Sequence, residues 1–253
     1  MPQEANMSSV TTASIAAGVP SPAARRARSD RWFFSGAAIA QVVLIVAGFA
    51  PTYYLKGAYG TPPLSPLLHV HGLVFTTWLV LLLVQTTLVA ARRTSVHRRL
   101  GMAGGWLAGV MMVVGYLAGV DAARRGATIP GMTPQAFLII PLSAIAVFVV
   151  LVAAALWLRR RPDYHKRLMT IATAELLSAG VARIPAIVPL GPLGFFGVPD
   201  LFVVAMAVYD LVTLRRIHPA TIAGGLFLIA TQPLRLMVSG TDSWVAIATW
   251  LTS

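Results

Sequence analysis

Seven apolar stretches, each close to the length that crosses a bilayer, are strung between short basic runs along this chain. They fall at 32–50, 67–91, 101–120, 137–158, 168–189, 199–214 and 221–238. A helix of ~20 residues traverses ~30 Å of hydrocarbon, and only 199–214 falls clearly short of that. Charged residues make up 11% of the chain and hydrophobic ones 57%. A soluble domain carries roughly 25% charged residues, so there is too little polar surface here to cover a globule in water. The expected fold class is therefore all-α: a polytopic membrane helix bundle of about seven transmembrane helices.

The basic residues set the orientation. With the N-terminus in the cytoplasm, fifteen Lys and Arg fall in inner segments: 25, 26, 28 and 31; 92, 93, 98 and 99; 159, 160, 161, 166 and 167; 215 and 216. Only Lys56, Arg124 and Arg125 fall outside, and Arg183 and Arg235 lie within apolar stretches. Such an imbalance is the positive-inside signature of a bacterial inner-membrane protein with a cytoplasmic N-terminus. The net charge of +12 thus belongs to loops rather than to a basic face, so the lipid bilayer is the expected partner and nucleic acid is not.

Three regions follow. Residues 1–30, rich in Ala, Ser, Thr and Pro, read as a disordered cytoplasmic tail; the run Trp32–Ala50 behind Arg25, Arg26, Arg28 and Arg31 reads as an uncleaved signal anchor. Residues 31–240 form the transmembrane domain. Residues 241–253, with Trp244 and Trp250, are too short to span and are expected at the interface.

Cysteine is absent, so any metal or heme would be held by His, Met, carboxylate or backbone. His97, His165 and His218 open the third, fifth and seventh stretches from the cytoplasmic side. Two imidazoles at one depth on facing helices are what a bis-His heme b requires, and His97 with His165 is the expected pair; interfacial anchoring among headgroups is the competing role. His69 and His71, at the outer end of the second stretch, are the candidate metal ligands, and copper is a candidate cofactor beside heme. They could share an ion only if the chain stays extended beyond Pro62, Pro63 and Pro66, because helical residues two apart point in nearly opposite directions. His71 shares a helical face with Trp78 and Gln85.

Charges inside apolar stretches are costly and usually face a partner or a hydrated cavity. Glu175, Arg183, Asp200, Gln232 and Arg235 are such groups, and with His71 and Gln85 they make a candidate polar pocket in the outer half of the bundle. Arg183 and Arg235 lie ~21–23 Å along their helices at 1.5 Å per residue, a matching depth that suggests one shared anion. Simple ion pairing between helices is the alternative. Asp210 is expected to pair locally with Arg215, Arg216 or His218. Gly101, Gly105 and Gly109, then Gly115 and Gly119, offer close helix packing. No Lys lies in the seven stretches, which excludes a retinal Schiff base, and no nucleotide-binding loop, zinc-protease motif or nucleophile elbow is present.

The box Arg92-Arg93-Thr-Ser-Val-His97-Arg98-Arg99-Leu100 is echoed by Arg160-Arg161-Pro-Asp-Tyr-His165-Lys166-Arg167-Leu168, as in a duplicated helix pair. With His71-Gly72 and Gln85, these boxes resemble those of uncharacterised bacterial polytopic membrane proteins carrying a His-Arg-Arg-Leu box. The pattern is distantly similar to oxidase-maturation membrane proteins and transmembrane cytochromes b. That resemblance implies a heme- or copper-associated role in respiratory electron transfer or oxidase assembly, with a respiratory complex as partner. The polar residues imply instead a transporter or small-molecule-binding protein, and a scaffolding subunit without its own site is the third expectation. The topology is directly testable: a reporter fused after Leu214 should be active only in the cytoplasm and one fused at Gly126 only outside, and the reverse pattern overturns the orientation.

Overall fold

The computed structural model describes residues 21–253; most of the tail expected at 1–30 lies outside the described residues. Its last part, however, is helical. Helix α1 runs Pro22–Phe49 and continues through a π-helical turn, Ala50–Tyr54. Ser21 caps it by accepting from the Ala24 amide at 3.2 Å, with Pro22 in the first turn, where a missing N–H costs nothing. The composition that suggested disorder is overridden by tertiary anchors: Arg26 pairs with Asp163 at 3.2 Å and Asp30 with Lys166 at 2.9 Å.

Helices α2 (Pro66–Ala90), α3 (Thr94–Arg124) and α4 (Pro134–Trp157) follow. Next come α5 (Pro162–Glu175) and the single turn and a half of α6 (Leu177–Val181). Then α7 (Pro192–Leu214), α8 (Pro219–Ser239) and the short α9 (Asp242–Thr252) complete the bundle. Among the described residues, six helices are long and apolar enough to cross a membrane: α1, α2, α3, α4, α7 and α8. The chain is a multi-pass membrane protein.

The remaining expected span is not among these six. The apolar stretch 168–189 becomes α5 and α6 joined at Leu176, and helix stops at Val181. Pro185 accounts for the stop, since its ring excludes the carbonyl four residues earlier, that of Val181, from a helical position. Residues 182–191 are turns and a 3-10 segment, closed by Gly191 at φ +55°. Nearly all of α5 from Arg167 to Glu175 is buried, so α1, α4, α7 and α8 pack around it. Helix α6 lies directly on α1, where a side chain on Gly48 would run into the Gly180 carbonyl; the two backbones touch with nothing between them. Helix α7 starts at Pro192, seven residues before the expected start. Pro199 is accommodated within it, which puts Asp200 about two turns inside the helix rather than at its opening.

At the end of the bundle bearing the arginine boxes, here the basic end, α5 is tied to its neighbours by charge. Lys166 reaches Asp163 at 2.7 Å and Asp30, and Asp30 accepts from the Tyr209 hydroxyl at 2.7 Å. Arg167, expected in a loop, is fully buried in α5 and forms a two-pronged pair with Asp210 of α7. Asp210 also accepts from the Thr221 hydroxyl at 2.5 Å and the His218 amide at 3.0 Å. Its partners are therefore Arg167 and the start of α8, not the side chains of Arg215 or Arg216, which point to the surface.

At the opposite end, the far end, α9 folds against α3 and α4. Trp244 donates from Nε1 to the Gln135 carbonyl at 2.9 Å and Ala248 is fully buried. Arg124 donates to the carbonyls of Leu251, Thr252 and Ser253, satisfying the last turn of α9 as a basic group at a helix C-terminus should. Replacing Arg167 by Met should destabilise the fold by about 3–5 kcal/mol, the cost of stranding a buried charge. Adding Asp210→Asn, which keeps an acceptor for Thr221 and His218, should recover most of that loss in thermal unfolding. A double variant no better than the single one refutes the pairing.

Candidate functional site: buried polar groups at two depths

The candidate residues separate into two groups. The first lies at the basic end. The turn after α2 places Arg92 at φ +58° and starts α3 at Thr94, so His97 is the fourth residue of its helix. His165 is likewise the fourth residue of α5. The two rings come within 6.2 Å, centroid to centroid, and their planes cross at 84°. His165 uses Nδ1–H to donate to the Ala155 carbonyl at 2.9 Å, which fixes its tautomer and leaves Nε2 as the free nitrogen. His97 Nδ1 is buried with no hydrogen-bond partner among the described residues.

Gln85 belongs to this group and not to a pocket at the far end. It donates from Nε2 to the His97 carbonyl at 3.2 Å. The reason is distance along the helix: fourteen residues separate it from His71, ~21 Å of α2. His218 stands apart from the histidine pair. Its Nδ1 accepts from the Ala220 amide at 3.1 Å, capping α8, and its ring meets Tyr164 edge-on at 4.6 Å. Burial, then the positive charge of Arg167, hold its pKa below the usual histidine value, which keeps Nδ1 free to accept.

His69 and His71 both lie in α2, which is helical from Pro66 onward. The extended chain that a shared metal ion would need is therefore absent, and the two imidazoles diverge. His69 is exposed, while His71 stacks on Phe75 at 4.1 Å. Among the described residues, no group of three or more His, Cys, Asp or Glu is arranged to hold a metal ion.

The second group lies towards the far end. Glu175 closes α5 where the helix breaks, and Arg235 of α8 reaches it at 2.9 Å, Nη2 to Oε1. Both side chains are 1% exposed. The same nitrogen donates to the Thr231 hydroxyl at 3.1 Å, and Nε reaches the Thr231 carbonyl at 3.3 Å. The guanidinium lies 5.5 Å from the Phe196 ring centre. The contact with Glu175 is an ion pair without hydrogen-bond alignment, so Glu175 Oε1 and Arg235 Nη1 are left without hydrogen bonds among the described residues. One turn earlier on α8, Gln232 donates to Asp200 Oδ1 at 2.7 Å. Four expected pocket residues thus meet across α5, α7 and α8.

Arg183 does not join them. Because helix ends at Val181, the chain carries it outward, where its guanidinium lies 4.4 Å from the Phe49 ring centre of α1 and donates to the Ala179 carbonyl. It is exposed on the surface of the bundle. The matching depth of Arg183 and Arg235 therefore does not become a shared anion. His71 likewise makes no contact with the Glu175–Arg235 pair in the hydrogen-bond and aromatic geometry around it. The sequence reading missed Gln41 and Trp78 as polar anchors of α5: Gln41 donates to the Thr170 carbonyl at 3.0 Å and Trp78 Nε1 to the Thr173 hydroxyl at 3.3 Å. A lone amide in the first apolar stretch was the available signal for Gln41.

No protein family, curated protein or solved structure matches the chain. The resemblance carried by the basic boxes is one of sequence pattern alone.

Proposed function

We propose that this protein is a small-molecule-binding or transporting protein of the bacterial cytoplasmic membrane, N-terminus inside, whose site is the Glu175–Arg235 pair with Asp200 and Gln232. The observation that carries it is the incomplete satisfaction of a buried ion pair. Burying two charges is repaid only when the remaining donors and acceptors are also bonded, and at the basic end Asp210 meets that standard while Glu175 and Arg235 do not. Unmet donors and acceptors beside a helix break are where a ligand gains most, because it replaces a deficit rather than a hydrogen bond already made. Pro233 within α8 and the end of α5 add backbone carbonyls to the same region.

A second reading, heme- or copper-linked redox chemistry, is supported by the histidine pair. With metal–nitrogen bonds of about 2.0 Å on each side, a shared ion holds two ring centres about 6 Å apart, and His97 and His165 stand at 6.2 Å. The hydrogen bond from His165 to Ala155 is the kind that orients a metal-bound imidazole.

The two readings have separate tests. Glu175→Leu with Arg235→Met removes the charge pair as a unit; it should unfold no earlier than wild type, since apolar replacement of a buried pair is often neutral or stabilising. It should nevertheless lose the molecules that mass spectrometry detects bound to the purified wild type. A double variant that keeps them sinks the first reading. For the second, wild type should show a Soret band or bound copper that His97→Ala and His165→Ala each abolish; a colourless, copper-free protein after growth with heme precursor and copper ends it.

A further inference from the structure

Where α5, α7 and α8 meet, two carboxylates share one guanidinium. Arg235 pairs with Glu175 at 2.9 Å, while Asp200 has the neutral Gln232 amide, at 2.7 Å, as its one hydrogen-bond partner among the described residues. Asp200 is close enough to Glu175 for the two charges to repel. No other charge compensates among the described residues. Helices α1 and α2 present the neutral Gln41 and Trp78 to α5, α4 borders Arg235 with Ser143 as its polar group, and α6 has no ionisable residue. Arg183 and His71 turn instead to the rings of Phe49 and Phe75. With all three groups ionised, the cluster holds one negative charge in excess.

Depth makes that excess costly. Asp200 lies eight residues inside the start of α7 and Gln232 seven before the end of α8, ~12 and ~10 Å from the helix ends. Helix α8, with 21 residues, is about as long as the hydrocarbon is thick, so both lie within it. A carboxylate that faces only a neutral donor at such a depth takes up a proton in preference to staying charged, and a second carboxylate nearby adds to that preference. Glu175 keeps its charge because Arg235 neutralises it in place. A proton also suits the space. The Glu175 and Arg235 side chains are sealed inside the bundle, and a proton needs neither a cavity nor a set of ligands around it.

We infer that the cluster of Glu175, Arg235, Asp200 and Gln232 is a proton-binding site, holding one exchangeable proton on Asp200 while Arg235 faces Glu175. This rests on the reading of these four residues as a ligand site and names one of its ligands. Uptake makes a single O–H bond between a carboxylate oxygen and a proton from water. Arg235 stands one turn beyond Gln232 on α8 and has Nη1 unspent. Turning it to Asp200 while the proton moves to Glu175 exchanges the roles of the two carboxylates at constant charge.

The test is infrared spectroscopy of the purified full-length protein at neutral pH, in a maltoside detergent that has no carbonyl group of its own. Wild type should show the carbonyl stretch of one protonated carboxylic acid, shifting in heavy water as an exchangeable proton requires. The band should vanish in Asp200→Asn. It should vanish in Glu175→Gln as well, because Asp200 then ionises to partner Arg235, whereas a proton held by the burial of Asp200 alone would stay. Wild type without the band overturns the inference, and no variant has to fold for that outcome. A band that survives in Asp200→Asn overturns the placement on Asp200, and one that survives in Glu175→Gln overturns the sharing of one guanidinium. If wild type lacks the band yet the Glu175→Leu, Arg235→Met double variant loses bound molecules, this inference fails while the small-molecule reading survives. If the band is present and the double variant keeps those molecules, the small-molecule reading fails and the proton is the ligand of the site.

Discussion

The bidentate pair between Arg167 and Asp210 is the joint on which the bundle depends. Both side chains are completely buried, and Asp210 spends its remaining capacity on Thr221 and the His218 amide. One carboxylate thus fixes the start of α5, the end of α7 and the start of α8. A charge pair that deep in low dielectric is stable only with every lone pair employed, so the three helices have little freedom to shift at this end. Around it the weaker contacts of Asp30, Asp163, Lys166 and Tyr209 bind α1 to the same point.

The far end follows the opposite rule. Glu175 and Arg235 are as deeply buried as Arg167 and Asp210, yet they retain unused atoms. Helix α5 has just ended there, and the chain passes through α6 and a series of turns before α7. The bundle is locked at one end and chemically unfinished at the other, and the functional reading depends on that contrast. Stability alone does not call for an ion pair at Glu175, because apolar side chains of similar volume would serve as well or better.

Much of the architecture is written in hydropathy and arginine placement. The apolar stretches locate the long helices, and the repeated basic box puts His97 and His165 at the same position in their helices, where the rings come together. What the sequence hides is direction. Arg167 and Arg99 hold equivalent places in the two boxes, but Arg99 is exposed and Arg167 buried, because only Arg167 has a carboxylate on a later helix to meet. Arg183 and Arg235 look equivalent by depth. Pro185 then ends the helix before Arg183, whereas Pro233 is absorbed within α8. Gln85 shares a helical face with His71, yet a face two dozen residues long reaches both ends of the bundle.

The burial of α5 also dictates an order of assembly. Of this segment's charges, Arg167 and Glu175 are the ones buried inside the bundle, and a charge on a helix entering lipid alone costs up to about 2.5–3.5 kcal/mol at mid-membrane. Its neutralising partners, Asp210 and Arg235, are synthesised later. As the chain emerges, α1 to α4 can each partition into lipid on their own apolar content, but α5 cannot settle until α7 and α8 exist to receive it. The centre of the molecule is therefore the last part to be completed during biogenesis, and a ribosome stalled before residue 210 would leave it waiting at the translocon.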